Sequence, residues 1–135
     1  MILSNEPPIC LIVDDDFINR FVLGKTLEFL NQSYQECENG EDAINWLKKT
    51  SYKDVIVLLD LNMPVMDGYD FLDFLKKHPK EFEHTNIQVV VISASSYSHF
   101  IEKMPNADIV QFLSKPVEKD QIKNAINESI ELFKQ

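Results

Sequence analysis

Basic residues are scarce in this chain. Its 135 residues hold 13 Lys and Arg against 22 Asp and Glu, a net charge of −9. A nucleic-acid surface needs clustered Lys and Arg, so this balance argues against that class and suits a protein that takes cations or a basic partner patch. Cysteine is nearly missing too. Cys10 and Cys37 stand in apolar or strand-like runs with no metal-ligand spacing, which leaves reduced thiols and excludes a disulfide scaffold. No apolar run approaches the roughly 18–20 residues of a membrane span. Met1-Ile2-Leu3 passes at once into Ser4-Asn5-Glu6, unlike a secretory leader, so a cytoplasmic protein without a membrane partner is expected. There is no internal repeat, low-complexity segment or linker. One folded domain over residues 9–135 is expected, behind a short tail over 1–8 that Pro7-Pro8 keeps extended. At 44% hydrophobic, the domain can bury a core without metal or disulfide.

What is present is a regular alternation of apolar strands and amphipathic helices. Ile9 to Val13 is an unbroken apolar run that ends on Asp14-Asp15-Asp16. A helix is expected over Ile18 to Asn31, with Ile18, Val22, Leu23, Leu27 and Leu30 at helical spacing. A second strand, Tyr34 to Glu38, leads through Asn39-Gly40 into a helix over Glu41 to Lys49, whose Ala43, Ile44 and Leu47 face inward. Val55 to Leu59 is the third strand, and it stops on Asp60. Pro64 then interrupts backbone pairing, and Asp67-Gly68 opens a helix to Lys77 with Phe71, Leu72 and Leu75 as its buried stripe. Ile87 to Ile92 ends on Ser93-Ala94-Ser95. A short helix over Ser98 to Met104 follows, then a strand over Ile109 to Leu113 that ends on Ser114-Lys115-Pro116, and a last helix over Lys119 to Phe133. Five strands alternating with helices predict an α/β fold. The sheet is parallel and doubly wound, with helices on both faces, because each right-handed crossover carries one helix.

In such a sheet all strands end at one edge, where open α/β folds place their ligand sites. That edge collects Asp14 and Asp15, Asp60, Ser93 and Lys115. Three carboxylates repel one another unless a cation intervenes, and oxygen ligands with open water positions suit Mg²⁺. Metal, ammonium and hydroxyl around one carboxylate would neutralise the oxygens of a phosphoryl group in transfer, so Asp60 is the expected nucleophile, forming an aspartyl phosphate.

The segments Ile12-Val13-Asp14-Asp15-Asp16, Asp60-Leu61-Asn62-Met63-Pro64-Val65-Met66-Asp67-Gly68, Ser93-Ala94 and Lys115-Pro116 resemble, in order and separation, the motifs of response-regulator receiver domains. The resemblance covers nearly the whole chain. It implies a flavodoxin-like sheet in the order 2-1-3-4-5, and a phosphoryl group received from a sensor histidine kinase or histidine phosphotransfer protein. It implies no turnover beyond slow hydrolysis of the protein's own aspartyl phosphate, and output through a downstream protein target or a phosphorelay. By similarity, Asp15 and Asp60 would hold Mg²⁺ directly, Asp14 mostly through water, and Asn62 by its backbone carbonyl. Lys115 and Ser93 would contact the phosphoryl group, and Ser93 with Phe112 would form the switch. Some positions depart from the family. Phe112 stands where Tyr or Phe is common, without a hydroxyl, Asn106-Ala107-Asp108-Ile109 lacks the usual Gly-Ala, and the paired arginines of dimerising DNA-binding regulators are not evident.

A second class also fits part of the pattern. Haloacid-dehalogenase-like phosphatases use an Asp-x-Asp after the first strand, which would make Asp14 the nucleophile and Asp16 the acid. That alternative leaves Asp60 and the Asn62-Met63-Pro64 turn unused, and finds no late acidic pair for the metal. For Asp16 a simpler role is a charge at a helix start, favoured by the helix dipole. His78, His84 and His99 are scattered near turns and expected at the surface. Trp46, Phe71, Phe74 and Phe82 are expected in or beside the core.

Overall fold

The computed structural model describes residues 6–135. Residues 1–5 of the expected tail lie outside them. Five parallel strands, β1 (Ile9–Val13), β2 (Tyr34–Cys37), β3 (Asp54–Leu59), β4 (Asn86–Ser93) and β5 (Gln111–Ser114), form one sheet in the order β2-β1-β3-β4-β5. The connecting helices are α1 (Phe17–Phe29), α2 (Gly40–Lys49), α3 (Gly68–Lys77), α4 (Tyr97–Lys103) and α5 (Lys119–Phe133). The central strands are buried on both faces, which is why they appear in the sequence as unbroken apolar runs.

The period of two along each strand divides these runs between two cores. Leu11, Val13, Val57, Leu59, Val89 and Val91 face α2, α3 and α4, where Ala43, Leu47, Phe71 and Phe100 meet them. Cys10, Ile12, Ile56, Leu58, Val90 and Ile92 face α1 and α5, where Leu27, Ile122, Ala125 and Ile126 close the layer. Pairing in register sets Val13 beside Leu59, so β1 and β3 end together and Asp14 and Asp60 leave the sheet as neighbours. The ladder runs one bond further on each side, with Asp60 N–H donating to Val13 O at 2.9 Å and Asp14 N–H to Cys37 O at 3.2 Å.

Two local expectations need correction, and one element was not expected. In α1, Arg20, Gly24 and Leu27 are buried and Leu23 and Leu30 pack against the core as expected, but Ile18 and Val22 are 63% and 58% exposed. Gly24 lies close to β2 on this face, where a Cβ would stand 2.8 Å from Tyr34 Oη. The fifth strand begins at Gln111; Ile109 and Val110 pack as half-buried residues before it, with Val110 N–H donating to Val89 O at 2.7 Å. A 3₁₀ turn at Pro79–Phe82, not expected from the sequence, buries Phe82 in the α2–α3 core. Trp46, Phe74 and Leu75 are half-buried against that same core, and the three histidines are exposed.

Candidate functional site

Each functional side chain stands where a strand runs out of ladder. Asp14 follows β1 and is 3% exposed; Asp60 follows β3 and is 6% exposed. Asp15, one residue on, turns to solvent. The carboxylates of Asp14, Asp15 and Asp60 each offer an oxygen within 4.8 Å of the others, a hard-oxygen set that fits a small divalent cation. Lys115, following β5, reaches across. Its Nζ lies 3.3 Å from Asp14 Oδ2 and 3.5 Å from Asp60 Oδ1. Lys115 is held by its own backbone, since its N–H donates to Ser93 O at 2.9 Å.

Burial, and then the negative charge of Asp14, push the Asp60 carboxyl above its ordinary range. Lys115 and the backbone N–H of Asn62 pull in the opposite direction without cancelling them. Positive charge brought beside Asp60 would favour its ionised form.

Ser93 ends β4 fully buried, and its hydroxyl accepts the Ser95 N–H at 3.0 Å. Asn62 is exposed, with Nδ2 3.5 Å from Ser95 Oγ, a long contact that links the loops after β3 and β4. Phe112 on β5 is half-buried. Its ring packs on Phe100 at 5.5 Å and on the exposed Tyr97 at 5.4 Å. Asp16 takes no part in the cluster. It caps α1, with Oδ1 accepting the N–H groups of Ile18 at 2.7 Å and Asn19 at 3.2 Å. The phosphatase alternative thereby loses its acid, and Asp14 is itself ion-paired to Lys115.

The sequence model of the response regulator receiver domain family matches residues 10–127. The chain belongs to that family. Among its curated relatives, the sensor histidine kinase RcsC of Salmonella typhi is 32% identical over 123 residues, covering 91% of this chain and 12% of that protein. The 3′,5′-cyclic-nucleotide phosphodiesterase regA of Dictyostelium discoideum is 31% identical over 121 residues, covering 87% of the chain and 14% of its relative. The receiver thus corresponds to a small part of these longer proteins. Among solved structures, the receiver domain of the sensor histidine kinase PA1611 from Pseudomonas aeruginosa superposes with a TM-score of 0.76 at 18% identity, over 93% of this chain and 99% of that one. That crystal structure carries a magnesium ion coordinated in its active-site cleft. The receiver fold and the order 2-1-3-4-5 are as the resemblance implied, and the dehalogenase-like alternative is set aside.

Residues that sequence reasoning passed over also stand at this edge. Arg20 is buried beside Asp14, and Ser95 and Tyr97 contact Ser93 and Phe112. The one available signal for Arg20 was its spacing, because residues 20, 24 and 27 share a helical face.

Proposed function

We propose that this receiver accepts a phosphoryl group on Asp60 from a phosphohistidine of a sensor histidine kinase or histidine phosphotransfer protein. The observation that carries this function is a buried carboxylate at the end of β3 with Lys115 Nζ 3.5 Å away and two further carboxylates within reach. A Asp60 carboxylate oxygen attacks phosphorus in line. The new O–P bond forms as the P–N bond to imidazole breaks, and the ring nitrogen keeps that electron pair and takes up a proton. Lys115 meets the phosphoryl oxygens as a point charge, and Ser93 offers its hydroxyl to them. Asp15, Asp60 and the Asn62 carbonyl would hold Mg²⁺, with Asp14 acting through water. When bound, Mg²⁺ neutralises the charge that the carboxylates and the phosphoryl group bring together.

The surface beside the site suits a protein donor. Phe17, Ile18, Phe21 and Val22 are all exposed on α1, and such contiguous apolar surface marks an interaction face. A groove of about 390 Å³ between α1 and the loop after β5 joins this face to Asp14 and Lys115, with Val22, Pro116 and Val117 among its lining residues. The −9 charge gives no reason to propose a nucleic-acid partner. Among the described residues no helix is long and apolar enough to cross a membrane, and a cytoplasmic role with a downstream protein target or a relay is the proposed setting.

Labelling from a phosphohistidine donor or acetyl phosphate tests this function. Asp60→Asn should abolish labelling while the protein stays folded, and a chelator should stop transfer to the wild type. Stoichiometric labelling of folded Asp60→Asn at another residue, or undiminished transfer without divalent metal, would contradict it.

A further inference from the structure

Among the described residues Arg20 is the one basic side chain the fold buries, and the chemistry above does not use it. It rises from α1 toward the end of β1. Nη1 donates to the backbone carbonyl of Asp14 at 2.8 Å, inside the protein. Nε donates to Glu36 Oε1 at 3.2 Å, and Nη2 stands 3.6 Å from Glu38 Oε1. The guanidinium carbon lies 5.9 Å from the Phe17 ring centroid. One rigid fork therefore ties β1, β2 and α1 together, a use that suits arginine and not lysine.

The carbonyl it holds belongs to the peptide joining Asp14 to Asp15. The Asp14 N–H to Cys37 bond is the last of the ladder on β1, so the buried Asp14 carbonyl takes its donor from elsewhere. Fixing that peptide fixes the backbone angles on either side of it, and with them the directions in which the two carboxylates leave the chain. A free guanidinium near three carboxylates would also compete with a cation for them. Glu36 and Glu38 engage the rest of the fork and offset its charge.

We infer that Arg20 is a positioning residue for the acidic cluster: it sets the Asp14–Asp15 peptide so that both carboxylates face the same space as Asp60. This rests on the Mg²⁺ function proposed above. Charge and position act in opposite directions, which makes the inference testable. Removing a nearby cation tightens Mg²⁺ binding by Coulomb's law. Losing the positioning bond weakens it, because groups that orient ligands from behind typically contribute about tenfold or more to metal affinity.

The experiment is an Mg²⁺ titration of the full chain, followed by amide chemical shifts of Asp14, Asp15, Asp16 and Asn62, with thermal melts in parallel. Wild type, Arg20→Lys and Arg20→Gln are compared. Arg20→Lys keeps the charge and loses the fork, so any change reports position. Binding should weaken on the order of tenfold in Arg20→Lys, and by less in Arg20→Gln, where the lost charge offsets part of the lost position. Should Arg20→Gln fail to fold, Arg20→Lys decides alone. Lower melting temperature with unchanged Mg²⁺ affinity would make Arg20 a strut between α1 and β2 and overturn the inference, as would tighter binding in Arg20→Gln. A wild type that shows no Mg²⁺-dependent shifts would overturn the metal function itself, and the inference with it.

Discussion

Asp60 is a carboxylate that the fold makes costly to ionise. Burial is the larger cause and Asp14 the second, and together they outweigh Lys115 and the Asn62 N–H. The sign of the consequence follows from linkage. Below the ordinary Asp range, about 3.9, the group is protonated in both folded and unfolded chains and contributes nothing. As pH rises from there, the unfolded chain releases its proton first, so the folded state loses stability until pH passes the raised folded value. Above that value the whole penalty is present. In chelator, Asp60→Asn should therefore be more stable than wild type at pH 7, the gap closing as pH falls toward 4. Mg²⁺ should stabilise wild type more than the variant. Denaturant melts across pH measure both, and an Asp60→Asn protein less stable than wild type at pH 7 without metal would contradict the sign. Asp60 and Lys115 were legible in the sequence because apolar runs that stop on a charged residue mark strand ends. Arg20 was not, because helical periodicity is read from apolar residues, and a buried arginine counts as a break in the face it occupies.

Between β3 and α3 the chain returns on itself tightly. Gly68 N–H donates to Leu61 O at 2.9 Å, and a Cβ on Gly68 would stand 2.5 Å from Asp60 O and 2.7 Å from Leu61 Cα. Those neighbours are backbone and cannot swing aside. Gly68→Ala must move either the start of α3 or the peptide after Asp60. A loss of roughly 1–3 kcal/mol is expected, the usual cost of overpacking, together with slower labelling of Asp60. Chemical denaturation and labelling rates check this, and wild-type behaviour in both would show that the loop yields freely. The same loop holds Val65 at φ 69°, a left-handed conformation that costs a β-branched residue energy and needs its surroundings to hold it. The sequence shows Asp67-Gly68 as a helix start, and Asp67 does cap α3 by accepting the Asp70 N–H at 2.9 Å. It does not show why glycine must follow. The apolar spacing of α1 misled at Ile18 and Val22, since close approaches between elements, such as that of Gly24 to the Tyr34 ring, are invisible to a one-dimensional pattern.

Across the whole molecule, the alternation of elements predicts a parallel doubly wound sheet, but not the strand order, which came from family resemblance. That order matters because it sets β4 and β5 side by side, with Val91 paired to Phe112 and Ser93 to Ser114. The proposed phosphoryl group on Asp60 would add up to about two negative charges at this edge. Ser93 is placed to answer them, yet its hydroxyl now accepts from Ser95 N–H. If it turns to the phosphoryl oxygens, Ser95 loses that acceptor and the loop to the α4 cap, Ser96, is freed to move. Rings continue the path: Tyr97 packs on Phe112, Phe112 on Phe100, and Phe100 on Tyr69 at 6.1 Å, from α4 across β5 to α3. Tyr69 Oη, at the far end, is buried and has no hydrogen-bond partner among the described residues. Phe112 has no hydroxyl to lose, so packing alone sets its rotamer. Beryllofluoride-bound protein, a mimic of the aspartyl phosphate, should show amide shift changes at Ser93, Ala94, Phe112 and Lys115 and along residues 98–113, relative to the unliganded form. Phe112→Leu should shrink the changes on α4 while leaving those at Asp60, because the smaller side chain cannot transmit the movement of β4 to Phe100 and Tyr97. Changes confined to Asp15, Asp60 and Asn62 would mean that the site fills without moving the α4–β5–α5 face, and that Phe112 is a fixed core residue.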